Sequence, residues 1–115
     1  MDIKRSSEGI SKKEAFKLVH DPEVKKLKEV ANQMFTLDKY ILYSDINNKG
    51  EDVDLLAIST NEGISFATNS STFIRDFTDI LDQLGEPGIE WNGVIKVVED
   101  VSKNDRKFYQ CSMVD

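Results

Sequence analysis

Residues 53–84 constrain the fold more than any other stretch, because they predict a β-hairpin that leads directly into an amphipathic helix. Two apolar, β-branched segments, 53–59 and 64–68, flank Asn61-Glu62-Gly63, where glycine can supply the positive φ of a turn. Asn69-Ser70-Ser71 can cap a helix start, and Gly85 followed by Pro87 can end the helix. Between them the apolar residues recur with helical spacing: Phe73, Ile74, Phe77, Ile80, Leu81 and Leu84. The sequence therefore predicts two strands and a helix at 70–84.

The N-terminal third predicts two short helices within residues 11–35, after a polar and frayed segment at 1–10. Ser11-Lys12-Lys13-Glu14 is a capping box, and the helix after it would pack through Ala15, Phe16 and Val19. Asp21-Pro22 has the residue types of a second helix start, with Asp as N-cap and Pro at the first helical position. The apolar face of that second helix would comprise Val24, Leu27, Val30, Ala31 and Met34.

The rest of the chain predicts three more strands. Residues 40–46 are apolar on both faces, 94–101 follow an Asn92-Gly93 bend, and 106–114 alternate so that Tyr109, Cys111 and Met113 share one face. Residues 39–114 would then hold the sheet and the helix at 70–84, and residues 1–115 would form one domain. The predicted order of elements is α-α-β-β-β-α-β-β.

This order predicts the α+β class, with two arrangements of the sheet. The first is a five-stranded antiparallel sheet with the helices packed on one face, which three amphipathic helices favour because they need a broad surface to bury against. The second is an OB-like, partly open barrel with N-terminal helices, since five strands with a helix between the third and fourth is the OB order.

Composition limits the location and the partners. The 115 residues contain no apolar run near the ~20 residues of a membrane span and no charged-then-apolar leader, so we expect a cytoplasmic protein without membrane contact. Cys111 is the single cysteine, which excludes an internal disulfide. The net charge is −6, and residues 38–100 carry four basic against thirteen acidic residues. Broad duplex binding is therefore not expected, because phosphate contacts need local positive potential.

Candidate catalytic and metal-binding residues do not form a recognisable motif. Asp45 to Gly50 begins like a calcium loop, but Lys49 and Leu56 occupy the fifth and twelfth positions, where oxygen ligands are needed, so a turn is predicted. His20 is placed to complement the C-terminal dipole of a helix, and Cys111 is placed as a small core residue. We accordingly expect a non-enzymatic protein with no metal and no cofactor.

The last hairpin carries the best indication of function. Its turn and second strand combine cations with adjacent aromatics, which is typical of surfaces that stack bases beside phosphates: Lys103, Arg106, Lys107, Phe108 and Tyr109. Because strand residues alternate, only one of the two aromatics can face the core. In an OB arrangement this turn and the one at 47–52 are the loops that bind oligonucleotides. The sequence thus predicts a site for single-stranded nucleic acid, helped by Lys12 and Lys13, although an ordinary hairpin with a charged tip has the same pattern.

The runs ISTNEGISFATNSSTFIRDF, GEP and VSKNDRKFYQCSMV together resemble small uncharacterised proteins encoded by phages, prophages and mobile elements of Gram-positive bacteria. The resemblance covers residues 38–114. It implies a non-enzymatic accessory role in DNA replication, recombination or host takeover, and it implies no catalytic residues.

A second hypothesis places the function on the acidic surface. Asp76, Asp79 and Asp82 fall on the polar face of the predicted helix, and such a row could bind a basic patch on a host protein and accelerate association. This alternative makes the chain a protein-binding module or an inhibitor. The sequence leaves the oligomeric state open.

Overall fold

A computed structural model describes residues 2–114 of the chain. Seven strands and two α-helices are described, with one turn of 3₁₀ helix at Leu27–Glu29. The strands and helices occupy these ranges: β1 Asp2–Ser6, α1 Lys12–His20, β2 Lys25–Lys26, β3 Met34–Ile46, β4 Asp52–Thr60, β5 Ser65–Thr68, α2 Ser71–Leu84, β6 Val94–Val101 and β7 Lys107–Met113.

The 13-residue strand β3 organises the sheet, because both halves of the sheet are built on it. One edge of β3 pairs with β4 from Leu37 to Ile46. The other edge pairs with β6 over residues 34–36 and with β1 over residues 41–44. The strand order is β2-β5-β4-β3-β6-β7, with β1 beside β3, and the sheet curls strongly into a half-barrel. Its two ends, β2 and β7, remain separate edges.

The α+β class is confirmed and a partly open barrel fits the sheet, but the predicted five-stranded antiparallel sheet is wrong. The described sheet has seven strands and is mixed, since β2 runs parallel to β5 while the other pairs are antiparallel. The additional strands β1 and β2 are short and polar, so they carry almost none of the apolar alternation that identifies a strand in sequence.

The strand β1 corrects the prediction that the segment at 1–10 is frayed. Its backbone pairs with the free edge of β3, and its bulge at Lys4 lets successive cations reach separate carboxylates. Lys4 Nζ lies 2.7 Å from Asp54 Oδ1, and an Arg5 guanidinium nitrogen lies 2.6 Å from Asp82 Oδ1. Backbone pairing therefore orders a segment whose composition alone predicts mobility.

The predicted second helix within 11–35 is also wrong. Leu27 and Val30 are buried as predicted, but a spacing of three residues fits one 3₁₀ turn as well as an α-helix. Asn32 then adopts φ +62°, which ends any helical path, and its N–H donates to the Val97 carbonyl at 2.6 Å. Met34, placed on the apolar face by sequence, is 58% exposed and begins β3.

The two helices lie on opposite faces of the sheet, which corrects the prediction that helices cover one face. The α2 residues Phe73, Phe77 and Leu81 join the larger core, to which β3 contributes Tyr40. The α1 residues Ala15 and Leu18 pack on a second cluster, formed by alternate residues of the same strands: Ile41, Tyr43 and Ala57. Residues 40–46 are apolar on both faces for this reason. We call the two faces the α2 side and the α1 side.

Local helix signals were predicted well. The Ser11 capping box forms, with the Glu14 N–H donating to Ser11 Oγ at 3.1 Å and the Ser11 N–H donating to the Glu14 carboxylate at 3.2 Å. The Ser11 backbone N–H, with a smaller contribution from the Ser11 hydroxyl, favours the charged carboxylate and holds the pKa of Glu14 below its usual value. Ser70 caps α2 through the Phe73 N–H, and Gly85 ends α2 at φ +77°. Phe16 was wrongly placed in the core and is 63% exposed. Between residues 2 and 114, neither helix has the length and apolarity needed to cross a membrane.

Candidate nucleic-acid interface

The β6–β7 hairpin divides the predicted binding residues between the two faces of the sheet. In its register Val97 lies opposite Cys111, Glu99 opposite Tyr109, and Asp100 opposite Phe108. Val97 and Cys111 belong to the larger core, so Tyr109 faces the α2 side and Phe108 faces the α1 side. The two aromatics therefore cannot form one stacking surface.

The hairpin turn is fixed by its own polar groups. The Ser102 N–H donates to the Arg106 carbonyl at 2.9 Å, and Asp105 takes φ +58°. Ser102 Oγ accepts from the Arg106 N–H at 3.3 Å. Lys103 and Arg106 are both exposed on this turn. The turn thus presents two cations next to Phe108.

Lys107 and Tyr109 are engaged on the α2 side by one carboxylate. Glu99 lies 3.8 Å from Lys107 Nζ, and it accepts the Tyr109 hydroxyl at 3.1 Å. Partial burial and this hydrogen bond raise the pKa of Tyr109, because both favour the neutral phenol. The positive charge of Lys107 is partly offset by Glu99, so Lys107 contributes less to phosphate binding than its sequence position indicates.

The α1 side of β6 and β7 forms a surface that we call the hairpin face, and among the described elements no helix packs on it. Together with Met34 of the neighbouring β3 it comprises Lys96, Val98, Asp100, Phe108 and Gln110, which alternate along their strands with the core residues Ile95, Val97 and Cys111. Phe108, Lys96 and Val98 are partly buried, and Arg106 follows at the turn. Lys96 is not among the residues predicted from the sequence. Its position two residues from Val98 would have indicated a shared face, but only the strand register joins it to Phe108.

Lys12 and Lys13 are not brought to this surface. They lie on α1, which packs against β4, whereas the hairpin lies beyond β3 at the other end of the strand order. Both lysines are exposed. The predicted site therefore separates into the hairpin and two distant lysines.

The aspartate row on α2 is largely engaged within the molecule. Asp76 accepts the Cys111 backbone N–H at 3.2 Å, which ties the helix to the edge strand β7. Asp82 pairs with Arg5 of β1. Asp79 is exposed. The hypothesis of a basic protein partner stays a prediction, and within this row it now rests mainly on Asp79.

Cys111 behaves as a core residue, as its alternation with Tyr109 predicted. It is 7% exposed, and burial, with a smaller contribution from Asp76, raises the pKa of its thiol to about 12. Since the thiolate is the reactive form, we expect native protein at pH 8 to react with a thiol reagent at least about tenfold more slowly than denatured protein. A labelling time course with and without denaturant measures this ratio. Equal rates would contradict the buried assignment.

The other sequence candidates for a metal or catalytic site, the calcium-like segment and His20, make contacts within the fold. Asn47 Oδ1 accepts from the N–H groups of Lys49 and Glu51, so the calcium-like segment is a closed turn. The His20 ring contacts the Phe16 ring at 4.4 Å between centroids. Across residues 2–114, no group of three or more His, Cys, Asp or Glu side chains is placed to hold a metal ion.

Comparisons with protein-family models, curated proteins and solved structures found no match to this chain. The resemblance to phage and mobile-element proteins therefore stays a prediction.

Proposed function

We propose that the protein is a non-enzymatic accessory protein that binds single-stranded nucleic acid along the hairpin face. The observation that carries the proposal is the position of Phe108, on a sheet face without a packed helix and next to the exposed Arg106. Aromatic rings on open sheet faces stack bases of any sequence, while neighbouring cations contact the phosphates. Lys96 continues the strip: it lies four residues along the register from Asp100, the partner of Phe108, or roughly 13 Å.

The strand order supports the same class of function. If β3, β4, β5, β6 and β7 are counted as OB strands one to five, α2 lies between strands three and four, as in an OB fold. Their order in the sheet, β5-β4-β3-β6-β7, matches an OB fold opened between its third and fifth strands. OB folds usually bind oligonucleotides on the face of their second and third strands. Here β4 corresponds to the second OB strand, and α1 packs against it. We therefore place the bound strand on the hairpin half of the sheet.

Charge sets the expected strength of binding. The hairpin carries the cations Lys96, Lys103 and Arg106 and also the carboxylates Asp100 and Asp105, and the whole chain has a net charge of −6. About three phosphate contacts predict a log–log salt slope near −2 for a single strand. We expect binding to be local, moderate in affinity and readily weakened by salt.

The Phe108→Ala variant is expected to weaken binding of a fluorescently labelled dT15 by about tenfold, since stacking contributes ~1–3 kcal/mol per base. Arg106→Ala should also weaken binding and reduce the salt slope by about one. Fluorescence anisotropy at 50 and 150 mM salt measures both effects. Phe16→Ala, which removes an exposed aromatic from α1, is the matched control and should leave affinity unchanged. Equal affinity of Phe108→Ala and the unchanged protein would contradict the proposal.

A further inference from the structure

A groove of about 420 Å³ lies where the half-barrel is open, between the short strand β2 and the edge strand β7. One wall is formed by β2 and the 3₁₀ turn, and the opposite wall includes Tyr109 from the α2 side of β7. The floor comes from the end of β5 and the start of α2. The residues that matter for recognition are Lys26, Leu27, Lys28, Ala67, Asn69 and Tyr109.

The chemistry of the lining favours an anion that carries an aromatic group. Lys26 and Lys28 provide two cations, and the described residues that line the groove include no carboxylate. Two nearby acids do not line the groove and are hydrogen-bonded to residues that do: Glu29 accepts the Lys26 backbone N–H at 2.7 Å, and Glu99 accepts the Tyr109 hydroxyl at 3.1 Å. Leu27 on one wall and the Tyr109 ring on the opposite wall supply apolar surfaces against which a flat base can stack.

We propose that this groove binds one nucleotide, with its base against Tyr109 and its phosphate near Lys26 and Lys28. A volume of about 420 Å³ is near the lower end of small-ligand pockets and suits a single nucleotide. The inference deepens the proposed function, because Phe108 and Tyr109 are adjacent residues on opposite sides of the edge strand β7. A single strand that crosses this edge can contact the hairpin face with one nucleotide and the groove with another.

Thymidine 5′-monophosphate is the probe, because it is too short to reach both surfaces. Titration followed by ¹H–¹⁵N NMR should give saturable shifts at the amides of residues 26–28, 67–70 and 109. Inorganic phosphate and thymidine, each at matched ionic strength, should give shifts that do not saturate over the same range. Saturation by phosphate alone would overturn the nucleotide assignment in favour of an anion site.

The lysine variants separate a local contact from the general field of the protein. Lys26→Glu should weaken thymidine monophosphate binding by about tenfold, whereas Lys25→Glu should change it by less than about twofold. Both lysines are exposed on β2 and both substitutions change the charge equally, but Lys25 does not line the groove. Equal weakening by the two substitutions, or no saturable shift in the unchanged protein, would overturn the proposal.

Tyr109 provides the second test. Tyr109→Phe keeps the ring and should retain binding, while Tyr109→Leu should weaken it by about fivefold or more. Thermal unfolding confirms that each variant is folded. Failure of the hairpin-face proposal can be distinguished from failure of the groove proposal. Phe108→Ala should leave thymidine monophosphate binding unchanged and weaken only oligonucleotide binding. Equal binding by Tyr109→Leu and Tyr109→Phe would contradict the placement of the base in the groove.

Discussion

Replacing Phe77 by alanine is expected to lower the free energy of unfolding by about 3–5 kcal/mol, the usual cost of deleting a large aromatic from a packed core. Phe77 is 1% exposed and joins α2 to β3, where its ring meets Tyr40 edge to face at 5.3 Å between centroids. Because domains of this size are stable by about 5–15 kcal/mol, the variant would lose a large share of its stability. Urea unfolding followed by circular dichroism gives the difference.

Phe16→Ala is the control, since it deletes the same side chain from a surface position. Phe16 is 63% exposed and contacts the His20 ring, so we expect a loss of no more than about 1 kcal/mol. The pair also tests the assignment of faces on the two helices, because the sequence predicts a core position for both phenylalanines. A similar loss in the two variants would contradict the structure around α1.

The helix α2 was predictable because several local signals agree. Ser70 as N-cap, the apolar stripe through Phe73 and Phe77, and Gly85 at positive φ all specify one helix with one buried face. The capping box at Ser11 is equally local and was equally predictable. Such signals depend on residues a few positions apart, and tertiary contacts do not need to be known.

The strands β1 and β2 could not be predicted because their stability comes from partners far along the chain. β1 depends on the free edge of β3 and on pairs such as Arg5–Asp82. β2 depends on parallel pairing of Lys25 and Lys26 with β5. The misassigned helix has the same origin, since the spacing of Leu27 and Val30 fits two kinds of turn. The β2–β5 pairing and the hydrogen bond from Asn32 to Val97 of β6 exclude the longer helix.

The candidate site was predictable only as a set of residue types. Alternation requires Phe108 and Tyr109 to face opposite sides, but which one faces the larger core depends on the pairing of Val97 with Cys111. Lys96 shares a face with Phe108 through the β6–β7 register. Lys26 and Tyr109 line one groove, although β2 and β7 lie at opposite ends of the strand order. The contact of Asp76 with the Cys111 N–H then holds β7 against α2. Site geometry thus depends on the long-range pairing of β6.

Gly93→Ala is expected to lower the free energy of unfolding by about 2–5 kcal/mol, because two costs act together. Gly93 has φ +79°, where an L-residue costs ~1–2 kcal/mol. An added Cβ would also lie 2.9 Å from Pro87 Cβ, in a rigid ring, and such overpacking costs ~1–3 kcal/mol. The Gly93 carbonyl accepts the Leu37 N–H at 2.9 Å just before β6 begins, so relaxation of the clash would disturb the β3–β6 pairing.

The matched control for this prediction is Gly63→Ala. Gly63 has φ +82° in the turn between β4 and β5, and a Cβ there would meet nothing within 4 Å. It should therefore cost only the ~1–2 kcal/mol of the left-handed backbone. Urea unfolding of both variants separates the backbone cost from the clash, and dT15 affinity of the Gly93→Ala protein reports on the hairpin face. Equal destabilisation by the two substitutions would show that the clash with Pro87 is relieved without cost.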